Sequence, residues 1–140
     1  MSVYVPVELR QRIRDHFAEC CAYCRTAERL TVAIFEFEHI VPRSAGGETV
    51  FGNICFACPT CNRYKSDRTV AIDPETNEKL RLFHPHRDDW LDHFSWNEAT
   101  TELIAQTSIG RATIAALKMN RPQLIRVRRM WAEMGEHPPG

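Results

Sequence analysis

Two cysteine pairs, Cys21-Ala-Tyr-Cys24 and Cys58-Pro-Thr-Cys61, constrain this chain more than any other feature. A two-residue gap lets both thiolates of a tight turn face one ion at about 2.3 Å. Two such turns complete a tetrahedron and leave no open position. The spacing therefore predicts a structural zinc held by Cys21, Cys24, Cys58 and Cys61. The 33 residues between the pairs exceed what a compact zinc ribbon uses, so something sizeable is inserted there. Cys55-x2-Cys58 offers a competing register. Cys55 falls in an apolar run, however, where a thiol acts as a small hydrophobe. Cys20 has no partner at the preferred gap, and both are left out of the site.

The first sixteen residues turn charged early and contain no apolar h-region, and no stretch approaches the roughly 20 apolar residues of a membrane span. The expectation is a cytoplasmic protein whose six cysteines point away from disulfides and towards a metal site.

Leu9, Ile13 and Phe17 recur at helical spacing after Pro6, which predicts a helix ending near Cys20. Residues 31–38 (TVAIFEFE) read as a strand, 53–57 (NICFA) as a second, and 60–67 as a short helix. Beyond residue 68, VAIDPETNEKLRLF reads as a hairpin turning at 73–77. FSWN and TELIAQ read as a second strand pair, with Trp90, Phe94 and Trp96 as core. Ser108 is expected to cap a helix reaching Met119, and Pro122 to open a last one carrying Leu124, Val127, Trp131 and Met134 on one face. The tail from 135 is expected to fray.

Between and beside the cysteine pairs lies EHIVPRSAGGETVFGNICFACPTCNRYKSD. Its Glu38-His39, Pro42-Arg43-Ser44, Gly46-Gly47, Asn53 and Cys58-x2-Cys61-Asn62 with Lys65 resemble the HNH endonucleases, or ββα-metal nucleases. Asn53 lies 14 residues after His39, and Asn62 lies 9 after Asn53. The resemblance implies an α+β fold: two antiparallel strands and a helix around one hard cation, with an N-terminal helix and the zinc knuckles. Residues 1–70 would form this core. Residues 71–140 would add an extension of hairpins and two helices packed on it, as one compact domain.

The resemblance also implies roles. His39 would be the general base, needed as neutral imidazole. Glu38 and Asn62 would hold a catalytic Mg²⁺ or Mn²⁺, and Asn53 would tie the loop back to orient the base. Side chains adjacent on a strand face opposite ways, so Glu38 and His39 can converge on one phosphate only if the chain bends after the strand. Asn62 makes this an H-N-N variant.

Charge is uneven. Residues 71–102 carry three basic and eight acidic groups, whereas 103–132 carry six basic groups and no acid. Lys65 and Arg43, with Arg126, Arg128 and Arg129 of the last helix beside Arg121, are the candidate contacts to a nucleic-acid backbone. The expected partner is double-stranded DNA, bound by a monomer or homodimer. The function implied is metal-dependent phosphodiester hydrolysis. The alternative is an inactive zinc-stabilised module that binds nucleic acid. His84, His86 and His93, with Asp88, Asp89 and Asp92, leave a second metal site open.

Overall fold

The computed structural model describes residues 4–139. These fall into two compact units that divide between Asp67 and Arg68. Among the described residues no helix is long and apolar enough to cross a membrane.

The first unit opens with helix α1, Val7–His16, which turns the fully buried Ile13 inward. It stops short of the expected end because Ala18 and Glu19 take positive φ, which reverses the chain ahead of the first cysteine pair. Strand β1 is Glu36–His39 and pairs antiparallel with β2, Ile54–Ala57, placing Glu36 opposite Ala57 and His39 opposite Ile54. The strand expected from residue 31 thus begins five residues late. Thr31 Oγ1 accepts from the Ala33 amide at 3.1 Å and donates to the Glu28 carbonyl at 3.2 Å. Such local bonds compete with a ladder, and they leave Val32 and Ile34 exposed. β2 is buried at every position. Helix α2, Pro59–Lys65, follows directly, with Cys58 as its N-cap and Pro59 at its first position.

In the second unit β3, Val70–Ile72, pairs with β4, Lys79–Arg81, around the expected turn. Asp73 closes that turn. Its carboxylate accepts from the Glu75 amide, the Thr76 hydroxyl and the Arg111 guanidinium. The short helix α3, Trp90–His93, leads into β5, Phe94–Trp96, paired with β6, Leu103–Ala105. Trp90 lies 5.2 Å from Phe94 and 5.8 Å from Trp96, ring to ring. These aromatics are the core of the unit, as expected.

Helix α4, Ser108–Leu117, is capped one residue earlier than expected, by Thr107, whose Oγ1 accepts from the Gly110 amide. A Cβ at Gly110 would lie 2.3 Å from the His93 carbonyl oxygen, so only glycine lets α4 approach the end of α3. Helix α5, Pro122–Glu133, begins at its proline. It buries Leu124 but leaves Met134 exposed. The tail is not frayed at His137, which is buried, bonds the Thr100 carbonyl at 2.9 Å and meets Trp96 edge-on. Gly140 lies outside the described residues.

Candidate active site and zinc centre

The four cysteines singled out by spacing come together. The sulfurs of Cys21, Cys24, Cys58 and Cys61 all lie within 4.8 Å of one another, and all four residues are buried. Cys24 and Cys58 sulfurs are 3.9 Å apart. A tetrahedral zinc with bonds near 2.3 Å separates its sulfurs by about 3.8 Å, so the donor set fits that ion. Burial pushes the Cys21 thiol well above its usual value, while hydrogen bonds from Cys21, Cys58 and Cys61 hold Cys24 well below. Four buried thiols cannot all ionise unaided, and a divalent cation would supply the missing charge. Thr26 Oγ1 adds a contact to the Cys24 sulfur at 3.1 Å. The first knuckle is stitched to β2 through the Ala22 amide and the Phe56 carbonyl, at 2.7 Å. Cys55 and Cys20 stay outside the centre; the Cys55 thiol instead donates to Glu38 at 3.1 Å.

His39 stands at the end of β1, with its Nε2 2.9 Å from Thr49 Oγ1. Burial lowers its pKa below the usual histidine value, and the cationic side chains of Arg43 and Lys65 lower it further. Both effects favour the neutral imidazole. Behind it the chain is pinned by Asn53. The Asn53 carbonyl oxygen of the side chain accepts from the Val41 amide at 2.9 Å. Its Nδ2 donates to the carbonyls of Val41 and Glu48. The same loop needs Gly47, where a Cβ would fall 1.8 Å from the Val41 carbonyl oxygen. Asn53 thus occupies the loop-tying place that the motif implies.

Three assignments need correction. Glu38 does not meet Asn62. It is 6% exposed, ion-paired to Lys65, and accepts from Tyr23 Oη at 2.9 Å as well as from Cys55. Strand alternation turns Glu36 and Glu38 to the same side. Which of the two reaches Asn62 depends on where β1 lies along α2. Asn62 Nδ2 donates to Glu36 Oε1 at 2.7 Å. Glu36 and Asn62 line an open cleft of about 380 Å³ with Pro59, Arg63, Ser66 and Asp67.

Lys65 is not a phosphate contact. It is 1% exposed, and its ammonium donates to the carbonyls of Ile40 and His39. Arg128 is not one either. It has no exposed surface, donates to the carbonyls of Thr101 and Met119 and to Asn120, and stacks on Trp96. Arg43, Arg126 and Arg129 are exposed. Arg121 is partly buried and donates to the carbonyls of Leu117 and Lys118.

Sequence reasoning missed Glu36, Thr49 and Tyr23. For Glu36 the signal was present in the alternation Glu36-x-Glu38. For the other two there was none, because nothing local marks which hydroxyl a fold brings to a distant ring or carboxylate. The histidines of the second unit form no metal centre with its acids, and no further cluster of metal-ligating residues occurs among the described residues. His84 Nδ1 accepts from the amides of His86 and Arg87, and His93 Nδ1 bonds Thr107 at 2.6 Å.

An antiparallel strand pair followed by a helix, with four cysteines clustered closely enough to hold a metal ion and a histidine at the strand end, defines a ββα-type domain. Residues 21–68 match the HNH endonuclease family model, and that segment is an HNH endonuclease domain. No significant match to the chain was found among curated proteins or among solved structures.

Proposed function

We propose that the HNH domain is a divalent-cation-dependent endonuclease that hydrolyses phosphodiester bonds in double-stranded DNA. The observation that carries this reading is the placement of His39: an imidazole bonded through Nε2 to Thr49 and set at the end of a strand whose following loop is pinned by Asn53, in surroundings that favour its neutral form. In the tautomer that carries its proton on Nε2, His39 donates to Thr49 Oγ1, which leaves the Nδ1 lone pair to take a proton from water. The water oxygen bonds to phosphorus, its proton passes to Nδ1, and the bond from phosphorus to the 3′ oxygen breaks. Arg43, exposed near the base, and Arg63, in the cleft, would meet phosphate oxygens; the exposure of both and the position of Arg63 in the cleft support this role.

A bound Mg²⁺ or Mn²⁺ supplies charge stabilisation for the phosphoryl group and the leaving oxygen. Glu36 and Asn62 would hold it. A carboxylate and an amide oxygen are the hard donors such an ion takes, with water filling the rest. Glu38 does not fit that role, since both its oxygens already face buried donors.

The test is cleavage of plasmid DNA with Mg²⁺, Mn²⁺ or chelator, beside His39→Ala. The expected result is metal-dependent cutting that falls by about 10²–10⁴-fold in the variant. Full activity in His39→Ala would remove His39 from catalysis. An intact wild type that binds DNA without cutting it under any metal would favour the non-catalytic binding module instead.

A further inference from the structure

We propose that Lys65 is a positioning residue for His39: its buried ammonium, neutralised by Glu38, clamps the backbone carbonyls of His39 and Ile40 and so fixes the bend that carries the imidazole out of the sheet. The idea rests on His39 being the base of the proposed nuclease.

Carbonyls that leave a ladder must find other donors when buried. At the end of β1 the Ile40 amide still reaches β2's approach through the Asn53 carbonyl, at 2.9 Å. The carbonyl of Ile40 instead receives Lys65 Nζ at 3.0 Å, and that of His39 lies 3.5 Å from the same nitrogen. A lysine that is 1% exposed cannot reach solvent or a phosphate without leaving this place. Its charge is tolerated there because Glu38 stands against it, itself fixed by Tyr23 and Cys55. Tyr23 belongs to the first zinc knuckle. One chain of contacts thus runs from the knuckle, through Glu38 and Lys65, to the backbone of the base. Asn53 holds the same bend from the other side at Val41.

The decisive variant is Lys65→Met in the full chain, loaded with zinc. Cleavage at saturating DNA is expected to fall about 10²-fold, the cost of an angstrom-scale misplacement of a reacting group. DNA affinity and its salt slope are expected to stay at the wild-type values, and the His39 ring ¹⁵N resonances to move. A phosphate-binding lysine would behave in the opposite way: lost affinity, a salt slope smaller by about one, and an unchanged saturated rate. That result overturns the proposal.

Because Lys65→Met leaves Glu38 buried alone, Glu38→Gln/Lys65→Met is the second variant. It removes both charges and keeps an acceptor for Tyr23. A wild-type rate with unmoved His39 resonances there also overturns the clamp. In the wild-type protein the Lys65 ammonium protons are expected to exchange slowly with water. Exchange as fast as that of a surface lysine contradicts the proposal whatever the variants do. If the wild type cuts no DNA, the nuclease reading fails, while the resonances of His39 and Lys65 still decide the clamp.

Discussion

Burial and two nearby cations all favour the neutral ring of His39, which is the form a general base needs. The sign of the pH dependence follows. The folded pKa lies below the unfolded value of about 6.5, so the base is fully available above that value. Activity should fall with decreasing pH only below it. Arg43 is exposed and contributes part of the lowering, so Arg43→Gln should shift the acid limb of kcat/KM upward, more at low salt than at high salt. A downward shift would contradict the electrostatic account of His39.

The two glutamates of β1 make a second contrast at this scale. Glu36→Gln should weaken Mn²⁺ binding by about tenfold, in line with loss of a hard ligand, and leave the melting temperature almost unchanged. Glu38→Gln should leave Mn²⁺ binding intact but cost about 3–5 kcal/mol of stability, since it strands the buried Lys65. Calorimetric titration and thermal melts of both variants check this. The reverse pattern would return Glu38 to the cation.

At the scale of elements, the zinc knuckles and the loop from Ile40 to Asn53 have separable duties. Cys58 is both a member of the four-cysteine cluster and the N-cap of α2, its Sγ accepting from the Cys61 amide at 3.3 Å. Cys58→Ser should therefore lose zinc and the cooperative melt of the first unit together, read by metal analysis and circular dichroism; a zinc-free variant that still melts cooperatively would show the ion to be dispensable. Gly47→Ala should keep zinc and fold yet lose cleavage, because the Cβ forces Val41 and the loop apart. Undiminished cutting by that variant would remove the loop from the argument.

These elements also show what the sequence made legible. The cysteine spacing and the change from strand to helix after residue 57 were legible from residue pattern, and Asn53 was legible through the motif resemblance, since its partner Val41 lies 12 residues away. The late start of β1 was not, because residue type alone does not reveal the Thr31 side chain bonding its own turn. Nor was the Glu36–Asn62 contact, which depends on the register of a helix against a sheet. Lys65 and Arg128 misled for a related reason. Charge predicts exposure, and only the fold reveals the buried carbonyls these two side chains serve.

For the whole molecule, the charge asymmetry along the chain reduces to fewer usable cations than the sequence suggests. Of the three arginines in α5 taken as backbone contacts, Arg128 is internal, and Arg126 and Arg129 are exposed. The second unit also carries a built-in acid sensitivity. Arg111, first, with the Glu75 amide and Thr76 hydroxyl, holds Asp73 down at about 2. That stabilisation is present above the ordinary carboxylate value near 4 and is lost as pH falls towards 2, so Arg111→Ala should raise the midpoint of acid unfolding of the chain. An unchanged midpoint would show that the turn does not limit stability.

Around neutrality Asp73 stays ionised, and the exposed Arg126 and Arg129 of α5 are the cations of this unit to test against a polyanion. Each phosphate neutralised by a protein cation contributes about −0.9 to the slope of log K against log salt. Arg126→Gln/Arg129→Gln in the full chain should therefore lower the magnitude of that slope by up to about 1.8 and weaken binding at low salt most. Melting should be unaffected, because neither side chain is buried. Binding and slope identical to wild type would mean that α5 turns an ordinary solvated face outward, and that Arg43 and Arg63 of the HNH domain supply the DNA contacts on their own.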